Sequence, residues 1–285
     1  MLRDAIPDPW RGWLGLRRVR RWLRATRFAA RQNRLAGADA PQFNFYPMRP
    51  EPNASISYVM GRLGARIGFE PSPTGLNFAW DTGTWFSARA AGHFPDGTLN
   101  ARCLDISKSH VDRVWAEVAG YSIAVDPLTT EGPIVVKPEE NGTRGGRAVD
   151  GPLPARVPGV VYQRLVDTRV GDRVLQIRPV VVRGRIVLVY EKWRPYPHWF
   201  KGPELTVPKT ATEFFSAAEA ALLLRFAESI GLDYGELDVV RDGSDGPIYV
   251  VDANRTPVRP KGLPDESVDA AFGPQAEAFA ELISR

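Results

Sequence analysis

Residues 231–257 read GLDYGELDVVRDGSDGPIYVVDANRTP, two strand-like runs about a turn. Residues 236–241 alternate charged and apolar side chains, and residues 248–251 are apolar and β-branched or aromatic. The DGSDGP between them is dense in turn formers: Gly tolerates positive φ, and Asp bonds its own backbone. A hairpin symmetric about Asp245 sets Asp238 opposite Asp252 and Glu236 opposite Asn254. Side chains two apart on a strand share a face, so these four groups line one patch. Like charges directly opposed destabilise a sheet. From this stretch two readings stay open. One is a solvated hairpin with its charges on the wet face. The other is a patch neutralised by a hard cation, Mg²⁺ or Mn²⁺, which oxygen-only ligands select.

The chain has 285 residues, 44% hydrophobic and 25% charged, enough for one large or two small domains. Its single cysteine, Cys103, excludes an internal disulfide and fits a reducing, cytoplasmic setting. With only three histidines beside it, a structural zinc site is not expected. No apolar run approaches the ~18 residues of a spanning helix. The formal net charge of +4 is uneven. Residues 1–36 hold ten arginines against two acids, a net +8, so the rest of the chain carries −4.

Residues 1–40 form a basic arm in which Trp10, Trp13, Leu16, Val19, Trp22 and Leu23 recur at helical spacing among the arginines. Such a helix suits an anionic membrane surface or a partner protein. Equally, its Trp/Leu face packs on the body and its arginines are simply solvated. No nucleic-acid partner is expected. Residues 37–52, rich in Pro, Asn and Ala, read as a linker. Residues 41–99 form a reduced α/β region with a helix or strand–helix mixture at 55–67 and a strand at 76–86. From residue 100 the pattern sharpens. A helix over 107–119 has Asp105 or Ser107 as N-cap and Gly120 as its stop. Strands follow at 121–125, 133–136 and 160–166, then a hairpin of 173–182 and 185–193 turned at Arg183-Gly184. Helices are expected over 211–230 and 272–285.

Lys137 ends a strand and opens a loop with Gly142, Arg144, Gly145 and Gly146. Glycines let backbone amides approach an anion, which suits a polyphosphate. On its own such a loop is more often an ordinary surface connection. No Walker A motif and no dinucleotide fingerprint occurs. Lys108 sits in the first turn of its helix, where it opposes the macrodipole; a bound phosphate would relieve that conflict.

Taken in order, these pieces resemble an ATP-grasp domain. The matching segments are DISK (105–108), VVKP (135–138) with the glycine loop, YQRLV (162–166), QIRPV (176–180), GELDV (235–239) and VDANRTP (251–257). The resemblance covers residues 100–285 and implies an α+β fold of two subdomains, the smaller at about 121–165, with ATP between them. It implies phosphate or adenine contacts from Lys108, Lys137, Gly145 and Gly146. Gln163, Arg164 and Leu165 would read adenine, and Asp167 would meet the ribose. Arg178 would face the γ-phosphate as the catalytic cation, and Asp238, Asp252 and Asn254 would hold Mg²⁺ (or Mn²⁺). Asp238 stands where many members carry glutamate. Lys192, Arg194 and Arg255 would steer an anionic substrate. The implied activity is ATP-dependent ligation of an unidentified carboxylate to an amine or thiol through an acyl phosphate. The alternatives are a kinase on the same fold and a nucleotide-binding accessory protein that works through its basic arm. A homodimer is left open.

Overall fold

The structure, a computed structural model, describes residues 8–86, 94–143, 145–198, 202–243 and 246–284, with side chains from Val19 onward. Helix α1 (Asp8–Leu35) leads into β1 (Gln42–Pro47), α2 (Ser55–Arg62), β2 (Arg66–Gly68) and β3 (Leu76–Trp80). These strands make a parallel sheet ordered β2–β1–β3. Helix α3 (Lys108–Ala119) follows. Next come β4 (Gly132–Pro138), β5 (Arg147–Gly151) and β6 (Val160–Arg164), an antiparallel sheet ordered β5–β4–β6. The largest sheet contains β7 (Arg169–Val170), β8 (Arg173–Val182), β9 (Arg185–Pro195) and β10 (Leu205–Lys209). Helix α4 (Ala217–Ser229) precedes its last strands, β11 (Tyr234–Arg241) and β12 (Ile248–Asn254), and α5 (Val268–Ile283) closes the chain. Its strand order is β10–β9–β8–β11–β12, antiparallel throughout, with β7 on β8.

Local chemistry sets several boundaries. Gly120 closes α3 with φ 82, the left-handed cap that glycine adopts without Cβ strain. Ser216 and Glu219 form a capping box that starts α4. Arg183 (φ 43) and Gly184 (φ 72) are both left-handed, the turn whose twist matches a two-residue hairpin.

The large sheet has two unlike faces. Ile177, Val189, Leu237, Val239, Val250 and Ala253 are buried against Val111 and Trp115 of α3 and Leu223 and Phe226 of α4. Each such side chain stabilises the fold by roughly 1.5–3 kcal/mol. The other face is apolar where α5 covers it, Ala271 and Phe272 over Val180, Leu188 and Tyr190 and Phe279 against Val182 and Tyr234, and where Tyr249 and Val251 pack on Ile123 and Val166. Elsewhere it carries polar side chains.

Two β-bulges decide which side chains lie on that polar face. Near its turn the β8–β9 hairpin pairs Val182 with Arg185 and Val181 with Ile186. The register then shifts, and Val180 faces Leu188, Arg178 faces Tyr190 and Gln176 faces Lys192. Val187 is the extra residue. The bulge takes up this residue and breaks the period-two alternation along β9, so Lys192 and Arg194 lie on the face of Gln176 and Arg178. In β11–β12, Val239 pairs with Val250, then the register shifts and Asp238 faces Asp252 while Glu236 faces Asn254. The expected opposition is present, but not from a turn symmetric about Asp245, which lies outside the described residues. The insertion of Val251 restores it.

The parallel sheet is not a separate lobe. Phe43, Phe45, Phe78 and Trp80 share one core with Tyr234 and Phe279. Asn100 pins the junction. Its Oδ1 accepts from the amides of Asp233 (2.8 Å) and Tyr234 (2.9 Å), and its Nδ2 donates to the Tyr234 carbonyl (2.8 Å).

Four expectations are corrected. Residues 37–52 are not a bare linker: they contain β1, whose Phe43 and Phe45 are fully buried between flanking strands. A central parallel strand is covered on both faces and shows no alternation to read. Residues 121–125 make one bridge, Ala124 to Gln163, rather than a strand. The helix expected over 211–230 splits into a 3₁₀ turn (Ala211–Glu213) and α4, because Ser216 caps a new start. Helix α5 begins four residues earlier than expected; Gly273-Pro274 hid its first turn.

Gly235 tests how tightly β11 and β12 are joined. A Cβ there would lie 2.4 Å from the Asn254 carbonyl oxygen and 2.7 Å from Leu232 Cδ1. Gly235→Ala is expected to destabilise the chain by about 1–3 kcal/mol, read as a lower urea midpoint with unchanged slope.

Candidate active site

The polar face of the large sheet, the β5–β4–β6 sheet and residues 254–258 enclose a cleft of about 1290 Å³. Lys108, Lys137, Gly145 and Gly146 line it, as do Gln163, Arg164 and Leu165. Arg178, Asp238, Asp252 and Asn254 line it from the sheet. Residues spread over some 150 positions of sequence are thus brought to one cavity.

Arg178 organises the floor. Its Nη1 donates to Glu236 Oε2 (3.0 Å) and its Nη2 to Asp238 Oδ2 (2.8 Å), while Nε pairs with Asp238 Oδ1. Glu236 is buried, and its second oxygen, Oε1, has no hydrogen-bond partner. Burial disfavours charge on all three groups, yet the mutual attraction keeps Arg178 firmly protonated and holds Asp238 below the ordinary carboxylate range. Burial raises Glu236 despite Arg178 and Lys192.

Asp252 has the opposite fate. Burial first, then the facing Asp238, push its pKa up to about 6, against the pull of Lys108 and Lys137. Its Oδ1 accepts the Ala253 amide (3.0 Å), and Asn254 Oδ1 accepts the Thr256 amide (3.0 Å). Among the described residues, no cluster of three or more His, Cys, Asp or Glu gathers. Two carboxylates and an amide nevertheless fit Mg²⁺, which binds through one or two carboxylates and keeps waters and phosphate oxygens as its other ligands.

The lysines approach from the opposite wall. Lys137 Nζ donates to Gln163 Oε1 (3.0 Å), and burial lowers its pKa against the attraction of Asp252 and Asp238. Lys108, also buried, donates its Nζ to the Glu140 carbonyl (2.9 Å). The glycine loop is tied across the cleft, with Asn141 Nδ2 donating to the Ala253 carbonyl (2.7 Å). Arg144 of that loop lies outside the described residues. Ser107 takes the N-cap position of α3 without a side-chain cap bond; Asp105 Oδ1 accepts its amide instead (2.7 Å).

Some expected site residues do other work. Arg255 is fully buried and donates to the carbonyls of Asp81 (3.1 Å), Cys103 (2.7 Å) and Gly83 (2.7 Å). It ties the end of β12 to the segment after β3 and lies outside the cleft lining, away from any substrate there. Asp167 lies outside the cleft lining and is exposed, its Oδ1 accepting the Arg169 amide (2.9 Å) in a local turn. Lys192 is 4% exposed and sits beneath the lining, where burial and Arg178 lower its pKa to about 8. Arg164 bonds Asp242 (2.7 Å) and the Tyr249 hydroxyl (2.6 Å) at the edge of the cleft. That clasp joins the β6 strand to the β11–β12 hairpin.

The cleft also includes Arg194, expected from sequence to steer an anionic substrate, and Gln176, His198, Glu204, Lys261, Thr82 and Arg21, for which no role was expected. Period-two alternation from Arg178 would have found Gln176. Arg194 reaches the cleft past the Val187 bulge, and Arg21 through the docking of α1. Burial pushes the Cys103 thiol up to about 11, so the cysteine is no thiolate nucleophile.

The chain has the ATP-grasp fold, two α+β subdomains facing across a cleft. D-cycloserine synthetase DcsG superposes with TM-score 0.51 at 17% identity, over 85% of this chain and 99% of that one. An ATP-grasp RimK domain protein from Sphaerobacter thermophilus reaches 0.48 at 15% identity, covering 86% and 100%. The ATP-grasp ligase PsnB, complexed with a minimal precursor, reaches 0.44 at 17% identity over 62% of this chain, which spans 59% of PsnB's length. No family model matches the sequence, and no curated protein matches it.

Asp252 gives a pH test with a definite sign. Its folded pKa of about 6 lies above the ~3.9 of an unfolded aspartate, so the folded state holds the proton longer. Stability contributed by the neutral form is complete below pH ~4 and is lost as pH rises toward 6. Asp252→Asn is therefore expected to stabilise the ligand-free protein by about 1–2 kcal/mol at pH 7.5, with the gain vanishing at pH 4, measured by urea unfolding at both pH values.

Proposed function

We propose that this protein is a Mg²⁺-dependent, ATP-consuming ligase that joins a carboxylate to an amine. The observation that carries the reading is the convergence of two lysines, a glycine loop, Arg178 and the Asp238/Asp252/Asn254 set on one cleft. Phosphoryl transfer asks for charge neutralisation and in-line positioning, not a protein nucleophile, and the cleft supplies that inventory.

In this reading the backbone of residues 163–165 borders adenine. Lys108 and Lys137 neutralise phosphate oxygens, and the glycine loop covers them. Asp238, Asp252 and Asn254 would hold Mg²⁺, which would supply charge neutralisation for the phosphates. Arg178 faces the γ-phosphate, and Glu236 holds its guanidinium in place. The substrate carboxylate oxygen attacks the γ-phosphorus as the bond to ADP breaks, giving an acyl phosphate. The amine then attacks the acyl carbon, phosphate leaves, and the amine proton passes to solvent, completing an amide, ADP and phosphate. The acceptor is an amine in preference to a thiol because the resulting amide needs no further activation.

ADP release with paired acids and amines tests the reaction. Asp252→Ala/Asn254→Ala is expected to lower kcat at least about a hundredfold. It should also abolish the roughly 2–3 kcal/mol stabilisation that Mg-ATP confers at about a hundred times its Kd. Intact turnover in the double variant overturns the site. A stable phosphorylated product would make the protein a kinase instead.

A further inference from the structure

Helix α1 turns one side to the body and leaves the other bare. Ala25 and Ala29 are buried, and Phe28 is partly so. Gln32 Nε2 donates to the Met60 carbonyl (3.3 Å), Asn33 Nδ2 to the Ile67 carbonyl (3.0 Å), and Asn33 Oδ1 accepts the Ile67 amide (2.7 Å). Arg21 and Arg24 both pair with Glu51. The Arg49 guanidinium lies 4.5 Å from the Trp22 ring centroid. The rotation of the helix on the body is therefore set by bonds on one face.

The opposite face carries Arg20, Arg27, Arg31 and Arg34, all exposed. Their spacing of seven, four and three places them in one stripe, about 21 Å long at 1.5 Å per residue. Among the described residues, none of the four makes an ion pair or hydrogen bond. Val19 (54% exposed) and Leu23 (39%) lie on the same outward side, within a turn of Arg20 and Arg27. Among the described side chains, the expectation that the Trp/Leu face packs on the body is met by the alanines and Phe28 while Val19, Trp22 and Leu23 stay exposed; Trp10, Trp13 and Leu16 lie outside the described side chains.

We propose that this outward face of α1 docks the protein on an anionic lipid surface. Unpaired guanidinium groups in a row gain by meeting a sheet of phosphate and carboxylate headgroups. The interleaved Val19 and Leu23 favour a bilayer over a nucleic-acid backbone, because only the bilayer offers an apolar layer just beneath its charge. The charge division agrees: the arm holds +8 and the rest of the chain −4, so the arm faces an anionic plane while the body is repelled from it. The surface is distinct from the cleft, which Arg21, on the body side of the helix, helps to line.

The test is co-sedimentation of the full chain with vesicles of phosphatidylcholine, with and without about 30 mol% phosphatidylserine. Binding is expected only to the anionic vesicles, and should weaken sharply at high salt. Replacing the four arginines together (R20E, R27E, R31E, R34E) should lower the partition coefficient at least roughly a hundredfold. The thermal midpoint should stay unchanged, since the four make no internal bonds. Their lysine counterparts should keep binding. Equal binding to neutral vesicles, indifference to the four substitutions, or tighter binding to a single-stranded oligonucleotide than to the anionic vesicles would each overturn the proposal.

Discussion

Two aspartates face each other across β11 and β12, and much of the molecule is arranged to tolerate that. A sheet does not hold opposed carboxylates without compensation. Arg178, one strand away, answers Asp238 and Glu236 together; Lys108 and Lys137, from the opposite wall, answer Asp252. The compensation is incomplete by design of the strands: Asp238 is held ionised while Asp252 is pushed toward its neutral form. A ligand-free cleft with that imbalance is short of positive charge at one place, between the two carboxylates. In the reading proposed above, a metal-bound nucleotide corrects the imbalance.

The apolar side of the same sheet explains why the polar side can be strained. Helices α3 and α4 cover one face over nearly its whole width, and α5 covers one end of the other. Stability is drawn from the covered face, which leaves the remaining surface free for charge. Asn100 and Arg255, which carry no part of the chemistry, fix the segments that roof the cleft to the strand ends beneath it. Arg255 shows how a buried cation near a site can be turned to main-chain carbonyls instead. Sequence offered no sign of that, because a guanidinium bonded to backbone and one aimed at substrate look alike.

Much of the site was legible because its chemistry sits in short segments whose spacing survives folding. The strand pairs flanking Arg183-Gly184 and residues 242–247 were readable from alternation and turn formers, and α3 from its periodicity and Gly120. What escaped follows a pattern. Strand β1 is buried on both sides and has no alternation. The start of α4 depends on a capping box inside an apolar run. Arg21 reached the cleft only through the docking of α1. Asp167 failed for a simpler reason: a carboxylate two residues before an amide closes its own turn.

The bulges at Val187 and Val251 have a consequence for how this chain tolerates change. In each, the bulge takes up one residue, so strict alternation fails between the turn and the functional residues while facing pairs stay on one face. Removing Val251 would leave a regular ladder in which Asp238 still faces Asp252 and Glu236 still faces Asn254. Removing a second residue from the same stretch would leave nothing to take up the change, and would turn Asp252 and Asn254 toward α3. Each hairpin thus holds one residue of slack, and the facing of its charges survives the loss of that one alone.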